Sequence, residues 1–267
     1  MKKLTALLLG AAMALSLAAC GSTAAVEETA STEGAAGEAA AVTTVTEGVL
    51  TMSTNAAFPP YEMTADDGSF EGIDIEVAAA IADKLGLKLQ VDDMDFDAAL
   101  LAAQTGKSDM VMAGVTVTED RQTVMDFSDT YANGIQVVIV PGDSAIATID
   151  DLQGKMIGVQ RGTTGDTYCS DDFGEDNVIK YDNGLTAVQA LMNGQVDAVV
   201  IDNAPAQEFV EANPGLKILD TEYANEEYAI GVAKGNTQLL DAINGALAEL
   251  TEDGTIQSIV NKYITAE

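Results

Sequence analysis

Apolar positions along the chain come in short runs broken by polar, Gly-rich stretches, and the runs alternate between two periods. Val49–Thr54, Leu87–Val91, Met110–Ala113, Ile135–Val140, Met156–Gln160, Val178–Tyr181, Ala198–Ile201 and Leu216–Leu219 are aliphatic or β-branched and are predicted as strands. Between them the spacing turns helical. Asp74 is placed to cap a helix carrying Val77, Ile81 and Leu85, and further helices are predicted over 96–104, 165–173, 185–192 and 204–212. In the tail, Leu239, Ile243, Ala246, Leu247 and Leu250 form one apolar stripe; Gly254 interrupts it, and Ile256, Ile259, Val260 and Tyr263 begin another. Strands alternating with helices predict βαβ units, mostly parallel sheets and an α/β fold.

One pattern occurs twice. Ala99, Ala102, Gly106, Asp109 and Val111 return 88 positions later as Ala187, Ala190, Gly194, Asp197 and Val199. Each copy reads as a helix, a Gly stop, an Asp and a buried strand, which suggests two similar α/β lobes. Open α/β sheets bind ligands beyond the carboxyl ends of their strands, so Gly114 and Asp202, where the copies end, are candidate site edges.

The first residues follow a different logic. Lys2 and Lys3 precede an apolar stretch, Leu4–Leu17, of 14 residues, short for a membrane span and suited to export. The following Leu17-Ala18-Ala19-Cys20-Gly21 resembles a bacterial lipobox, in which Cys20 would be lipidated; an ordinary cleavage site with an incidental Cys is the alternative. Residues 1–20 are thus expected to be a lipoprotein signal peptide. Residues 21–47, rich in Ala, Gly, Thr, Ser and Glu, are expected to be a flexible acidic tether, and the folded body to begin near Gly48.

Charge and composition remove several functions. With 12 Lys+Arg against 43 Asp+Glu and a net charge of −31, the chain is no candidate for binding nucleic acid. It contains no His, which excludes Ser-His-Asp and Cys-His catalysis. No phosphate-binding G-x-x-x-x-G-K-[ST] occurs, and no cofactor or metal is expected. Asp93, Asp95 and Asp97 hint at a calcium loop, but Ala98 and Gln104 stand where Gly and Glu are required.

Four loops after predicted strands hold the chemistry. In the first, Pro59 and Pro60 fix a turn that presents Phe58 to a ligand or to the core. In the second, Gly114 permits close backbone approach, and Thr118 can cap a short helix opening with Glu119 and Asp120. Arg121 beside it either pairs with a surface acid or grips a carboxylate with two parallel bonds. In the third, Gln160-Arg161-Gly162-Thr163-Thr164-Gly165 opens a helix whose first amides suit an anion. In the fourth, Asp202 either caps the helix that Pro205 begins or awaits a cation. Arg and amides for a carboxylate, Asp for an ammonium and Phe for a side chain are the inventory for an α-amino acid zwitterion.

Several motifs occur together: F-P-P-Y-E at 58–62, G-x-D-I-E-V at 72–77, M-D-F at 94–96, A-Q-T-G at 103–106 and G-x-T-x-T-E-D-R at 114–121. They continue with D-F-S-D at 126–129, R-G-T-T-G at 161–165, D-A-V-x-x-D at 197–202 and E-D-G-T-I at 252–256. In combination they resemble the family-3 extracellular solute-binding proteins of polar amino acid ABC importers, the glutamine-binding kind most of all, from about Gly48 to Ile264.

The resemblance implies a two-lobed periplasmic-binding-protein fold of type II, with two hinge strands. Lobe 1 would comprise residues 48–130 and 230–267, lobe 2 residues 136–224, and the hinges residues 131–135 and 225–229. It implies that Arg121 clamps the ligand carboxylate with the Thr116 and Thr164 amides. Asp202 takes the ammonium with the Gly114 carbonyl and the Thr116 hydroxyl, and Ala113 adjoins them. Phe58 and Phe96 sandwich the side chain, while Asn55, Gln160 and Thr163 face its far end.

Three departures bear on specificity. Asn55 stands where relatives often carry Asp, and Gln160 and Ile201 stand where the glutamine binder has Lys and His. A neutral polar amino acid is therefore expected; an inward-pointing Arg161 would instead favour an acidic one. The expected partners are the free ligand, permease subunits and, through Cys20, the outer face of a Gram-positive-type membrane or a periplasmic surface. The protein is expected to be a monomer and not an enzyme. A dehydratase-like enzyme or a sensing module on the same scaffold is the alternative. Cys169 reads as a lone packed thiol.

Overall fold

The computed structural model describes residues 42–264, which belong to one compact unit, Ala41–Glu267. The expected signal peptide, Cys20 and most of the expected tether lie outside the described residues. The elements in chain order are β1 Val49–Thr54, β2 Ala57–Phe58, β3 Glu62–Thr64, β4 Phe70–Glu71, α1 Ile73–Lys84, β5 Lys88–Asp93 and α2 Phe96–Gln104. They continue with β6 Met110–Val111, α3 Glu119–Val124, β7 Met125–Pro141, β8 Ile157–Gln160, α4 Thr164–Phe173, β9 Val178–Tyr181 and α5 Gly184–Met192. The remainder are β10 Ala198–Asp202, α6 Asn203–Ala212, β11 Leu216–Ile218, β12 Ala224–Ala233, α7 Thr237–Glu252 and α8 Thr255–Tyr263. Among the described residues no helix is long and apolar enough to cross a membrane.

The main sheet runs β5-β1-β6-β12-β7-β10-β8-β9, with β11 on β7. β5, β1 and β6 are parallel, as are β10, β8 and β9. Two antiparallel strands join these sets. β7, 17 residues long, pairs with β12 from Met125 to Gln136 and with β10 from Gln136 to Ile139. The central strands are apolar on both faces because helices cover both sides. On β10, Ala198 and Val200 enter one core with Val138, Val140, Ile157 and Val159, while Val199 and Ile201 enter another with Val137 and Ile139.

The repeated sequence pattern is a repeated structure. Gly106 and Gly194, each at φ 67, end α2 and α5 in the left-handed conformation that a Cβ disfavours. The following acids do the same work in each set. Asp109 accepts the amides of Val45 and Thr51 at 2.7 Å, and Asp197 accepts that of Met156 at 2.9 Å, each tying down the start of the adjacent parallel strand. The Asp109 contact, with Val42 packed against the core, holds the chain upstream of Gly48, where a tether is expected.

One expectation is corrected. Asp74 does not cap α1: Gly72 holds that position, and Asp74 lies fully buried with its carboxylate accepting the Gly114 amide at 3.0 Å. The small sheet β2-β3-β4, residues 125–130 of β7 and residues 230–233 of β12 add to the expected strands. Strands of two or three residues carry no readable period.

Candidate functional site

The site forms where β1, β6, β8 and β10 end and where β7 and β12 pass between the parallel sets. All eleven residues singled out from the sequence line one cavity: Asn55, Phe58, Phe96, Ala113, Gly114, Thr116, Arg121, Gln160, Thr163, Thr164 and Asp202. Its volume is about 450 Å³, mouth included, and Glu62, Gln136, Val200, Ile201, Glu226 and Tyr228 also line it.

Phe58 stacks on Tyr61 with centroids 5.7 Å apart, and Tyr61 meets Tyr228 edge-on at 5.5 Å. This column explains Gly114, which sits at φ 55 and where a Cβ would stand 2.8 Å from Phe58 Cε1. The space left by the missing side chain thus admits an aromatic ring. Asn55 Nδ2 donates to the Met94 carbonyl, and Asn55 Oδ1 accepts Gln160 Nε2 at 2.9 Å, joining the loop after β1 to the end of β8.

Arg121 is placed by the cap expected for its helix: its amide donates to Thr118 Oγ1 at 3.2 Å at the start of α3. Its guanidinium donates to the Thr116 carbonyl at 2.8 Å and the Gly162 carbonyl at 3.1 Å, and lies 5.4 Å from the Phe96 ring centroid. It therefore faces the cleft. Burial pulls its pKa down and the Glu226 charge opposes this, so it stays cationic.

Asp202 caps the helix that follows it, the first of the two roles open to it from sequence. Its Oδ1 accepts the Ala204 amide at 3.0 Å and caps α6, while Oδ2 accepts the Ile135 amide and the Tyr228 hydroxyl, each at 2.9 Å. The carboxylate is fully buried, and burial raises its pKa from 3.8 to about 6 against the pull of those three donors. In the third loop Thr163 caps α4, and Asp166 takes the Gly162 amide at 3.0 Å, so that donor is occupied. The Thr164 amide, in the first turn, has no intrahelical acceptor.

Beneath the cleft lies an acidic pair. Glu62 Oε1 and Oε2, Asp74 Oδ1 and the Tyr131 hydroxyl are buried with no hydrogen-bond partner in normal geometry. The Tyr131 hydroxyl and a protonated Glu62 each have a proton to donate to Asp74, and one Glu62 oxygen is then left without a donor. Burial, then the Asp74 charge, holds the Glu62 pKa far above its usual range; burial raises that of Asp74 to about 6.

Two residues weighed from sequence stand outside the cavity. Arg161 is exposed, donating to the Lys180 carbonyl at 3.3 Å and lying 3.8 Å from Asp182. It offers no cation to an acidic ligand. Cys169 is buried and unbridged, its thiol pushed up to about 12 by burial. Of the lining residues missed, Glu226 and Tyr228 share one face of β12 at a spacing of two, a faint strand signal inside a polar stretch.

The comparisons agree with this geometry. Residues 50–266 match the model of the bacterial extracellular solute-binding proteins, family 3. A probable histidine-binding protein of Neisseria gonorrhoeae is 35% identical over 264 residues, 96% of this chain and 94% of that one. Among solved structures, an ancestral arginine-binding protein bound to glutamine superposes with a TM-score of 0.79 at 42% identity, over 83% of this chain and 100% of that one. The substrate-binding protein of an amino acid ABC transporter gives 0.76 at 37% identity, over 82% and 100%. The architecture is that of the two-lobed α/β type II periplasmic-binding fold, and the chain belongs to the bacterial extracellular solute-binding proteins of family 3.

Proposed function

We propose that this protein captures a free α-amino acid with an uncharged polar side chain, outside the cytoplasm, and delivers it to the permease of an ABC importer. The observation that carries this reading is that Arg121 and Asp202, a cation and an anion 81 positions apart in sequence, line one cavity. Arg121 and the Thr164 and Thr116 amides take the carboxylate; Asp202, the Gly114 carbonyl and the Thr116 hydroxyl take the ammonium. Phe58 and Phe96 flank the side chain. The Asn55–Gln160 amide pair meets its far end, offering both donors and acceptors but no charge. The amino acids in the names of the similar proteins support the class.

The protein acts as a carrier and not as an enzyme. Lobe 1 (48–130 and 230–267) and lobe 2 (136–224) close about hinges at 131–135 and 225–229, segments that lie within the paired strands β7 and β12. Cys20 supplies the lipid anchor, and the carrier works as a monomer.

A cationic amino acid is the second reading, favoured by three lining carboxyl groups, those of Glu62, Asp202 and Glu226, against one lining guanidinium. Thermal unfolding against each of the twenty amino acids tests both. A ligand at about 100 times its dissociation constant adds roughly 2.7 kcal/mol. A rise in Tm with glutamine-like ligands supports the first reading and a rise only with arginine or lysine the second; no rise with any refutes both.

A further inference from the structure

The ammonium half of the cleft contains a carboxylate with no role so far. Glu226 is 5% exposed, lines the cavity and is carried by β12 on the same face as Tyr228. Its Oε2 accepts the Thr116 hydroxyl at 3.0 Å and Gln136 Nε2 at 2.9 Å, while its Oε1 is buried and makes no hydrogen bond of normal geometry, with the Tyr168 hydroxyl nearby. An unmatched buried carboxylate oxygen is costly, and it persists here beside a cleft built for a charged ligand.

Counting donors and acceptors gives it a use. A hydroxyl has one proton. Thr116 gives that proton to Glu226, so Thr116 Oγ1 presents only lone pairs to the cleft. A carboxylate accepts about four hydrogen bonds, and Asp202 already accepts three, from Ala204, Ile135 and Tyr228. It has room for about one of an ammonium's three N–H groups.

Resting on the amino acid reading above, we propose that Glu226 is the second carboxylate of the ammonium site. Its Oε1 balances the ligand's positive charge, and its Oε2 fixes the Thr116 hydroxyl as an acceptor for the N–H groups that Asp202 cannot take. Recognition of the α-amino group then depends on two acids delivered by different segments, β10 and β12. The Arg121 guanidinium, a cation lining the same cavity, keeps the pair of acids electrostatically tolerable.

The test uses the full chain with arginine, glutamine and histidine as probes. Dissociation constants come from titration calorimetry and the unliganded Tm from scanning calorimetry, for the wild type and Glu226→Gln. Glu226→Gln keeps the shape and removes a buried unmatched charge, so the unliganded Tm is expected to hold or rise while the Kd for every probe that the wild type binds rises at least tenfold. A Kd change under tenfold, or a loss of affinity matched by a falling Tm, overturns the proposal. A wild type that binds no probe overturns the amino acid reading itself, a result distinct from a variant that binds normally. Should Glu226→Gln not fold, Thr116→Val, which deletes only the hydroxyl that Glu226 orients, is expected to lose at least tenfold; binding within that limit overturns the proposal.

Discussion

Replacing Asp202 by Asn separates the charge of this carboxylate from its shape. In the folded protein its pKa is about 6 against a usual 3.8, so holding it ionised and buried at pH 7 costs on the order of 3 kcal/mol. The Asp202→Asn substitution would remove that cost. The amide oxygen can still cap α6 through the Ala204 amide, and the Tyr228 hydroxyl can reverse to accept from the new NH₂ group. The Ile135 amide, however, would face a donor and lose its acceptor, a penalty of about 1–3 kcal/mol. The two nearly cancel, so the unliganded Tm is expected to move by only a few degrees. The ligand has no such compensation. An ammonium buried without its carboxylate loses about 3–5 kcal/mol, which raises Kd at least a hundredfold. Titration calorimetry at pH 7, beside scanning calorimetry of the unliganded variant, measures both. Affinity within tenfold of the wild type, or a Tm drop of about 10 °C or more, refutes the reasoning.

Arg121→Lys keeps the charge and loses the fork that reaches the Thr116 and Gly162 carbonyls; calorimetry should show at least a tenfold weaker Kd, and unchanged binding would rule out a bidentate clamp. The pKa values of Asp74 and Asp202 are raised to about 6, so the folded state retains protons that the unfolded state releases between pH 4 and 6. Their contribution to stability is full below pH 3.8 and is lost as pH rises through 6. The unliganded Tm should therefore rise from pH 7 to pH 5 at constant ionic strength, while ligand affinity falls as Asp202 protonates. A Tm that falls over that range would show these acids to be ionised at no cost. Gly134→Ala would set a Cβ 2.3 Å from the Tyr228 hydroxyl and 2.6 Å from Asp202 Oδ2; chemical denaturation should record a loss of about 1–3 kcal/mol, and unaltered stability would contradict the packing. Cys169 should react with a thiol reagent only when the protein unfolds, being fully buried with its pKa near 12; rapid labelling of the native state would contradict this.

The local elements were readable because each carries its own period. The helix over 96–104 and the strand over 178–181 stand as expected, and Thr118 caps α3 as its position suggests. The doubled pattern of helix, Gly, Asp and strand was also legible, since Gly106 and Gly194 must take a left-handed conformation and Asp109 and Asp197 must tie down a neighbouring strand. Asp74 shows where such reading stops. An acid near a helix start suits a cap, but its fate depended on which loop packed against it, and that loop brought the Gly114 amide. Glu226 was hard to single out for a similar reason: in a polar stretch of a strongly acidic chain only its spacing of two from Tyr228 marks it.

Helix stops, strand runs, the twofold plan and the charged types suited to a zwitterion follow from interactions within a few residues, which sequence spacing encodes directly. The cleft does not. Arg121, Asp202 and Glu226 meet because β7 and β12 pair between the two parallel sets, and that pairing joins residues 88 to 108 positions apart. The same burial that assembles them lifts the Asp202, Asp74 and Glu62 pKa values and consumes three of the acceptor sites of Asp202. Desolvation and the count of partners around each group are properties of the packed chain, and they determine which of many acids face the ligand.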